Sequence, residues 1–197
     1  MYLIFILTII IYMFLHSFLA HNKVKEYIYS NLIKERYYRI FFISYATLFL
    51  IPIAYFYFSA NKTVYFETNI FLSTLGIILI IFSVYIFYIS FKNYDFKEFL
   101  GLDRINSEHK IHYQLNTGGI NKYVRHPLYS ASYPLMTGIF LLAPDNYILA
   151  GCIIISIYLP IGIIFEEQKL IEEYGKKYKD YMKNVPMLFP NTKYQKK

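Results

Sequence analysis

The chain has 197 residues, of which 56% are hydrophobic and 17% are charged, a composition too apolar for a typical soluble domain of this length. The formal net charge of +7 would favour nucleic-acid binding in a soluble protein, but here the Lys and Arg side chains fall in alternate loops between apolar blocks. This distribution is typical of a membrane protein, so we expect a lipid bilayer as the partner and no nucleic acid.

Five apolar blocks are each about as long as the roughly 20 helical residues that cross a hydrocarbon core. They cover residues 1–20, 40–60, 70–91, 128–143 and 147–165. Lipid cannot satisfy backbone polar groups, and the blocks lack the alternation of barrel strands, so each is predicted to be a helix. The first block has no basic residue before its apolar run, which favours a retained helix over a secretory signal. The sequence therefore predicts an all-α polytopic membrane protein with five transmembrane helices in a single domain, residues 1–197.

The basic residues predict the orientation of these helices. Segments 21–36, 92–127 and 166–197 carry four, six and eight Lys or Arg residues, whereas segment 61–69 carries only Lys62. Basic loops stay on the cytoplasmic side, so we expect the amino terminus outside and the carboxyl terminus in the cytoplasm. In a prokaryote this membrane would be the inner (plasma) membrane. The spare sequence lies on the cytoplasmic face, where we expect any chemistry to occur.

Two ionisable residues lie within or at the ends of the early apolar blocks. His16 falls inside the first block, and Arg39 falls at the cytoplasmic end of the second. Ionisable groups in such places usually face the interior of a helix bundle. Contact with a substrate, hydrogen bonding between helices and snorkelling to the interface all remain open for these side chains.

The loop 92–127 is rich in turn-forming residues, and irregular loops this long are uncommon in compact domains. Its pair Gly118-Gly119 permits positive φ and a close approach of the backbone to a ligand. We therefore expect a functional loop on the cytoplasmic side that can approach a ligand, with a plain connector as the alternative. The HKIH stretch at His109–His112 lacks a third ligand nearby, so no metal site is predicted.

The last two apolar blocks are predicted to form a helical hairpin. Between the motif RHPLY, Arg125–Tyr129, and the pair Glu166-Glu167, the only charge is Asp145 in a short turn. The two arms, residues 128–143 and 147–165, would rise about 24 and 28 Å. Antiparallel helices of nearly equal length begin and end at almost the same depth. The cationic motif and the acidic pair should therefore face each other at one membrane surface.

The RHPLY motif has the composition of a helix start that binds an anion. Pro127 suits the first helical turn, which places His126 near the N-cap. The backbone N–H groups of Leu128 and Tyr129 would then point into the cytoplasmic interface. Together with Arg125 and His126 they would form an anion site.

Across the hairpin mouth, the acidic pair offers a cation-binding or proton-accepting site. A ligand that bridges both motifs should carry a carboxylate and a nearby positive charge, and S-adenosylmethionine has both. A salt bridge between Glu166-Glu167 and the basic motif, with Arg and His serving only as inside anchors, is the structural alternative.

The tail 166–197 contains an amphipathic pattern with spacings of four, four, three and four residues. Its apolar or aromatic members are Leu170, Tyr174, Tyr178, Tyr181 and Val185. Lysines occupy the other faces, which predicts a basic amphipathic helix on the cytoplasmic side. Gly175 is predicted to mark a bend, because Gly weakens a helix interior. The helix can lie on the inner leaflet as a surface anchor or over the hairpin mouth as a lid.

Two stretches resemble a known family of membrane enzymes. LNTGGINKYVRHPLY, Leu115–Tyr129, and EEQKLIEEYGKKYKDYMKNVPMLFP, Glu166–Pro190, resemble the isoprenylcysteine carboxyl methyltransferase-like family, which includes phospholipid methyltransferases. The earlier stretches HSFLA, RYYRIFF and DFKEFLGL are similar to its methanethiol S-methyltransferase and NnrU-like branch.

This resemblance implies an S-adenosylmethionine-dependent methyltransferase whose cofactor pocket is built from the loop before the fourth span and the first turn of that span. With Gly119 and Arg125 added from the residue pattern, the expected cofactor-binding residues are Tyr113, Gln114, Leu115, Asn116, Gly119, Arg125, His126, Pro127, Leu128 and Tyr129. Glu166 matches the acidic residue on the acceptor side, and we expect Glu166 and Glu167 to be catalytic. Prenylcysteine enzymes carry an Arg one turn earlier, where this chain has Gly162.

The expected acceptor is a small, methanethiol-like thiol or another lipophilic molecule. A phospholipid amine and an isoprenylcysteine-type carboxylate are alternatives within the enzyme class. A small transporter or a non-enzymatic assembly subunit could share the five spans, but such a protein would more often place charged groups at mid-membrane depth.

Overall fold

The computed structural model describes residues 1–92 and 114–191, which include part of the predicted cofactor loop. Every regular element in these ranges is helical, and the one β-bridge among them joins Val64 to Asp145. The all-α prediction is therefore confirmed for the described residues. They fall into two compact units, Met1–Thr63 and the residues from Val64 onward.

The first unit consists of helices that follow one another closely. They are α1 (Tyr2–Ala20), α2 (Asn22–Asn31), α3 (Glu35–Leu48) and α4 (Leu50–Phe58). The α3 and α4 helices meet at Phe49, whose N–H donates to the carbonyl of Tyr45, so the chain stays helical through an apolar stretch. The Tyr38 hydroxyl donates to the Leu19 carbonyl at 2.5 Å and ties α3 to the end of α1.

The second unit contains the predicted hairpin and the helix that precedes it. Its elements are α5 (Ile70–Lys92), a 3₁₀ turn (Gly119–Lys122), α6 (Pro127–Leu142), α7 (Asn146–Tyr174) and α8 (Lys176–Asn184). Helices α5 and α6 pack backbone against backbone: a Cβ added at Gly138 would lie 2.6 Å from the Gly76 carbonyl. The buried Ser83 hydroxyl donates to the Ala131 carbonyl at 2.7 Å. Small residues and one interhelical hydrogen bond thus hold this pair together.

The turn between α6 and α7 is closed by its own acidic residue. Asp145 is buried, and its side chain accepts hydrogen bonds from the N–H groups of Tyr147 and Ile148, both at 2.9 Å. The Pro144 carbonyl accepts from the N–H of Tyr65 at 2.9 Å. The charge inside the predicted hairpin turn therefore caps α7.

Among the described residues, four helical segments are long and apolar enough to cross a membrane, with α3 and α4 counted together as one segment. They are Tyr2–Ala20, Glu35–Phe58, Ile70–Lys92 and Asn146–Tyr174. The remaining predicted span corresponds to α6, which has 16 residues and is shorter than the others. The helix that contains the last predicted span, α7, continues beyond Phe165 to Tyr174. The acidic pair consequently lies within the same helix as the apolar arm.

Candidate functional site

The start of α6 is as predicted, with His126 at the N-cap and Pro127 as the first helical residue. The His126 carbonyl accepts from the backbone N–H and the hydroxyl of Ser130, both at 3.0 Å. No side chain caps this helix. Within the described part of the chain, the N–H groups of Leu128 and Tyr129 have no hydrogen-bond acceptor. Such donors at a helix N-terminus favour a bound anion.

Glu167 lies at the centre of a buried cluster of charged and polar side chains. Its Oε1 atom is 2.7 Å from Arg125 Nε and 3.0 Å from His126 Nε2. The Tyr178 hydroxyl donates to the same oxygen at 3.3 Å. The side chains of Arg125, His126 and Glu167 are only 8%, 4% and 7% exposed. One carboxylate thereby joins the start of α6 to α7 and α8, with the hydrogen bonds that a buried charge needs.

Tyr178 takes part in this cluster as a neutral donor. Burial, reinforced by the negative charge of Glu167, raises the pKa of the Tyr178 hydroxyl above its ordinary value. The proton therefore stays on the oxygen at physiological pH and remains available to the carboxylate.

Glu166 occupies a different environment, although it is the neighbour of Glu167 in sequence. Its side chain is 43% exposed, and Oε2 lies 3.9 Å from His126 Nδ1. Glu166 also lies close enough to the Tyr129 hydroxyl for the two groups to interact electrostatically. The predicted meeting of basic motif and acidic pair is thus found in the structure, but only Glu166 presents an accessible carboxylate.

The guanidinium of Arg125 holds the tail in place. In addition to its contact with Glu167, Nη1 donates to the carbonyls of Met182, at 3.1 Å, and Val185, at 2.5 Å. These are the carbonyls at the end of α8, where a positive charge is favourable. The arginine predicted to bind a cofactor is therefore engaged with protein atoms on several sides.

Beyond α8 the chain runs alongside the start of α6, and we call residues Val185–Leu188 the C-terminal strap. The backbone N–H groups of Arg125 and His126 donate to carbonyls of Pro186 and Met187, at 2.9 and 3.1 Å. The Ser130 hydroxyl donates to the Leu188 carbonyl at 2.5 Å. The strap therefore pairs with the residues that open α6.

The bend predicted at Gly175 is confirmed, since this residue has φ +56° and separates α7 from α8. Tyr178 and Val185, from the predicted apolar face, are buried within the second unit. These contacts bring α8 and the strap alongside the hairpin mouth, and the choice between a surface anchor and a lid stays a prediction.

The described part of the predicted cofactor loop forms a compact turn. Asn116 Oδ1 accepts from the N–H of Gly118 at 3.0 Å, and Asn121 Nδ2 donates to the Asn116 carbonyl at 3.1 Å. The Tyr181 hydroxyl donates to the Asn121 carbonyl at 2.5 Å, which fastens the turn to α8. Gly119 has φ +55°, a conformation that favours glycine.

Most of the predicted site residues lie in this second unit. Arg125 and His126 contact the acidic pair at the hairpin mouth, and the first helical residues Pro127, Leu128 and Tyr129 follow them directly. Asn116 and Gly119 join through the turn that Tyr181 holds. Gln114 is exposed and Leu115 is half-buried in the same loop. Tyr113 and the His109–His112 stretch lie outside the described residues. The sequence-based expectations did not assign roles to Asn121, Ser130, Tyr178 and Tyr181.

The roles of Tyr178 and Tyr181 do not follow from the sequence pattern. It places both residues on an apolar face but does not indicate that their hydroxyls bond to Glu167 and Asn121.

His16 belongs to the first unit, where its ring lies 4.9 Å from the ring of Phe42. It therefore faces neighbouring helical residues, as expected for an ionisable group in an apolar block.

Comparison with known proteins identifies the family. Residues 71–177, more than half of the chain, match the phospholipid methyltransferase family. The chain is 34% identical over 94 residues to the methanethiol S-methyltransferase of Pseudomonas deceptionensis, which covers 47% of this chain and 34% of that protein. It is 31% identical over 77 residues to the methanethiol S-methyltransferase of Crocosphaera subtropica, with 39% and 29% covered.

The matched regions span about a third of the length of these curated relatives. No solved structure matches the chain. The family match includes α5, α6, α7 and the residues that meet at the hairpin mouth. The resemblance expected from the RHPLY and acidic motifs is therefore confirmed, and the chain belongs to the phospholipid methyltransferase family, a family of methyltransferase enzymes.

Proposed function

We propose that the protein is an S-adenosylmethionine-dependent methyltransferase embedded in the membrane, which methylates a small thiol or another lipophilic acceptor at the cytoplasmic face. The observation that carries this proposal is the hairpin mouth itself. There an uncapped helix start lies beside the half-exposed carboxylate of Glu166, within the segment matched to the family.

The residues at the mouth fit the chemistry of the methyl donor. S-adenosylmethionine supplies an electrophilic methyl group on a sulfonium, and its methionine part also carries a carboxylate and an ammonium. The N–H groups of Leu128 and Tyr129 would hold the carboxylate, because the α6 start has no cap of its own. Glu166 offers a negative charge toward the cationic part. The remaining wall would come from Pro127 and the loop residues Tyr113, Gln114, Leu115, Asn116 and Gly119.

Within this arrangement we assign the reactive role to Glu166. A thiol has a reference pKa of about 8.5, so it must lose its proton but needs little further activation. The acceptor thiol would pass that proton to the half-exposed Glu166 carboxylate as its sulfur takes the methyl group from the sulfonium. Good alignment of the reacting groups is worth roughly 7–11 kcal/mol of the barrier. His126 and Arg125 would keep the surrounding walls in place.

The expected acceptor enters from the lipid. Gly162 lies one helical turn before Glu166. Apart from its neighbours and the backbone of its own helix, no described atom lies within 4 Å of a Cβ added there, which leaves open space beside it. A cationic side chain at this position would favour a carboxylate acceptor, and Gly162 supplies none. The names of the two relatives favour a thiol. The family match favours a phospholipid amine as the second candidate.

We further propose that α6 is the remaining membrane-crossing helix, which gives five spans with the amino terminus outside and the carboxyl terminus in the cytoplasm. The Lys and Arg residues of the segments 21–36 and 166–197 support this orientation. In a prokaryote the membrane would be the inner one.

The test uses the full chain purified in lipid nanodiscs. Calorimetry with S-adenosylmethionine should show saturable binding, and methyl incorporation should be measured with methanethiol, phosphatidylethanolamine and a farnesylcysteine analogue in parallel. We expect the highest kcat/KM with the thiol. Labelling of phosphatidylethanolamine alone would establish the second candidate. The absence of donor binding would contradict the enzymatic proposal as a whole.

A further inference from the structure

The two glutamates at the hairpin mouth occupy different faces of α7. Glu167 follows the buried residues Leu159 and Ile163 at intervals of four, which places it on the face that packs against the rest of the unit. Glu166 lies one position earlier, about 100° around the helix, and is half-exposed. A ligand that contacts Glu166 therefore meets a side chain from the flank of α7, while Glu167 points into the protein.

From this geometry we infer that Glu167 is a positioning residue for the proposed methyl transfer: it fixes the ring of His126 and the C-terminal strap, and thereby keeps Glu166 available to the acceptor. The inference rests on the proposed function for its kinetic part. Glu167 itself does not touch the ligand and acts through its hydrogen bonds.

The two ring nitrogens of His126 face different carboxylates. The carboxylate oxygen of Glu167 lies 3.0 Å from Nε2 and can only accept, so Nε2 carries a proton. The other nitrogen, Nδ1, lies 3.9 Å from Glu166 Oε2, which is beyond hydrogen-bond distance. As long as Glu167 holds Nε2, the imidazole ring does not donate to Glu166.

Loss of the Glu167 carboxylate changes the acceptors around the ring of His126. Without that anion on Nε2, the ring proton can move to Nδ1, where the nearest carboxylate is Glu166. A small rotation of the ring would then close the gap of 3.9 Å, so that Nδ1–H donates to Glu166 Oε2. A carboxylate that accepts from His126 is a weaker proton acceptor for a thiol. The defect would therefore appear at Glu166, although the substitution is at Glu167.

Glu167 also fixes the C-terminal strap, through Arg125. Glu167 receives Arg125 Nε, and the other side of that guanidinium binds the carbonyls of Met182 and Val185. Tyr178 reaches the same carboxylate oxygen from α8. The single buried anion thus fixes the direction of Arg125 and brings the strap alongside the start of α6. Its removal should loosen the strap and the ring of His126 together.

The test compares Glu167→Gln with Glu173→Gln, the same change at an exposed position of the same helix. Gln keeps the size of the side chain but removes its charge and part of its accepting capacity. We expect Glu167→Gln to lower kcat about tenfold while the Kd of S-adenosylmethionine changes less than threefold, as is usual when an orienting partner of a functional His is lost. Glu173→Gln should leave both unchanged.

A double variant separates positioning from a general loss of structure. If Glu167 acts through His126 on Glu166, then Glu167→Gln should have almost no further effect on kcat in a Glu166→Gln background. Full additivity of the two changes would overturn the inference, even with the methyltransferase activity intact. A Glu167→Gln protein with the kcat of the unmodified chain would overturn it as well.

A readout without turnover keeps this inference distinct from the proposed function. In protein labelled with ¹⁵N-histidine, the signals of His126 are identified by their loss in His126→Asn, and they should report a protonated Nε2. Glu167→Gln should shift those signals, whereas Glu173→Gln should not. A shift in a protein without any methyl transfer would leave the geometry standing and reject the enzymatic role. Unchanged signals would reject the positioning role regardless of activity.

Discussion

The hairpin contains two helix starts that face the same physical problem and meet it in different ways. At the hairpin turn, Asp145 accepts from the first free N–H groups of α7 and satisfies them within the protein. At the hairpin mouth, α6 begins at His126 and Pro127 without a side-chain cap from the described residues. Since a cap is worth about 1 kcal/mol, its absence beside a half-exposed carboxylate is a cost to stability that the proposed ligand would offset. One helix start is therefore satisfied by the protein itself, and the other is the one to which we assign ligand binding.

The largest effect is expected at the accessible carboxylate. Glu166→Gln keeps the shape of the side chain but removes the proton acceptor, so kcat should fall at least about a hundredfold. The Kd for S-adenosylmethionine should rise only a few-fold, because the half-exposed carboxylate supplies one solvent-screened contact while the backbone N–H groups of α6 are unchanged. Single-turnover methyl transfer and calorimetry measure the two quantities. An unchanged kcat would show that the reactive group lies elsewhere.

A new side-chain cap at the start of α6 should compete with the ligand. His126→Asn introduces a side-chain oxygen that can accept from the N–H groups of Leu128 or Tyr129. Asp145 caps the start of α7 in the same way. We expect the donor Kd to rise about tenfold, which corresponds to the loss of one hydrogen bond to a charged group. Asp145→Asn, which retains a cap on α7, is the matched control and should leave the Kd unchanged. Equal donor affinity in both variants would show that these N–H groups do not bind it.

Removal of the Asp145 cap at the start of α7 should affect stability alone. Asp145→Ala leaves the N–H groups of Tyr147 and Ile148 without their acceptor and should lower the free energy of unfolding by about 1 kcal/mol. Thermal unfolding in detergent measures this loss, and calorimetry should find the same donor affinity as before. A weaker donor affinity in this variant would mean that the two ends of the hairpin are coupled.

The smallest effect is expected on the open side of the mouth. Gly162→Ala adds a methyl group where no atom lies within 4 Å, so no clash arises. Ala also favours a helix over Gly by up to about 1 kcal/mol, and the unfolding temperature should stay equal or rise slightly. The thiol KM should remain within twofold. A lower unfolding temperature would show that the space beside Gly162 is filled by packing.

The sequence was sufficient to predict the parts of the site that depend on chain direction and local chemistry. Pro127 and His126 indicate a helix start, Gly175 indicates a break, and the length of the apolar arms predicts that Arg125 and Glu167 meet. Each of these follows from backbone geometry or from the rise of a helix.

The unequal roles of Glu166 and Glu167 could not be predicted in this way. The apolar part of α7 is hydrophobic around its whole circumference, so its composition does not show which face packs inward. A difference of one position separates a buried carboxylate from an accessible one. The apolar stretch that predicts the last span ends at Phe165, and α7 continues beyond it to Tyr174.

The short length of α6 has a consequence for the surrounding lipid. Its 16 residues rise about 24 Å, while a hydrocarbon core is about 30 Å thick. As the proposed fifth span, α6 would be too short for the core, and tilting would only shorten its reach further. Because Gly76 and Gly138 hold α6 closely against the longer α5, the mismatch would thin the adjacent leaflet and recess the start of α6 below the phosphate plane. A molecule dissolved in the acyl chains would then arrive beside Glu166 without first crossing the headgroup layer.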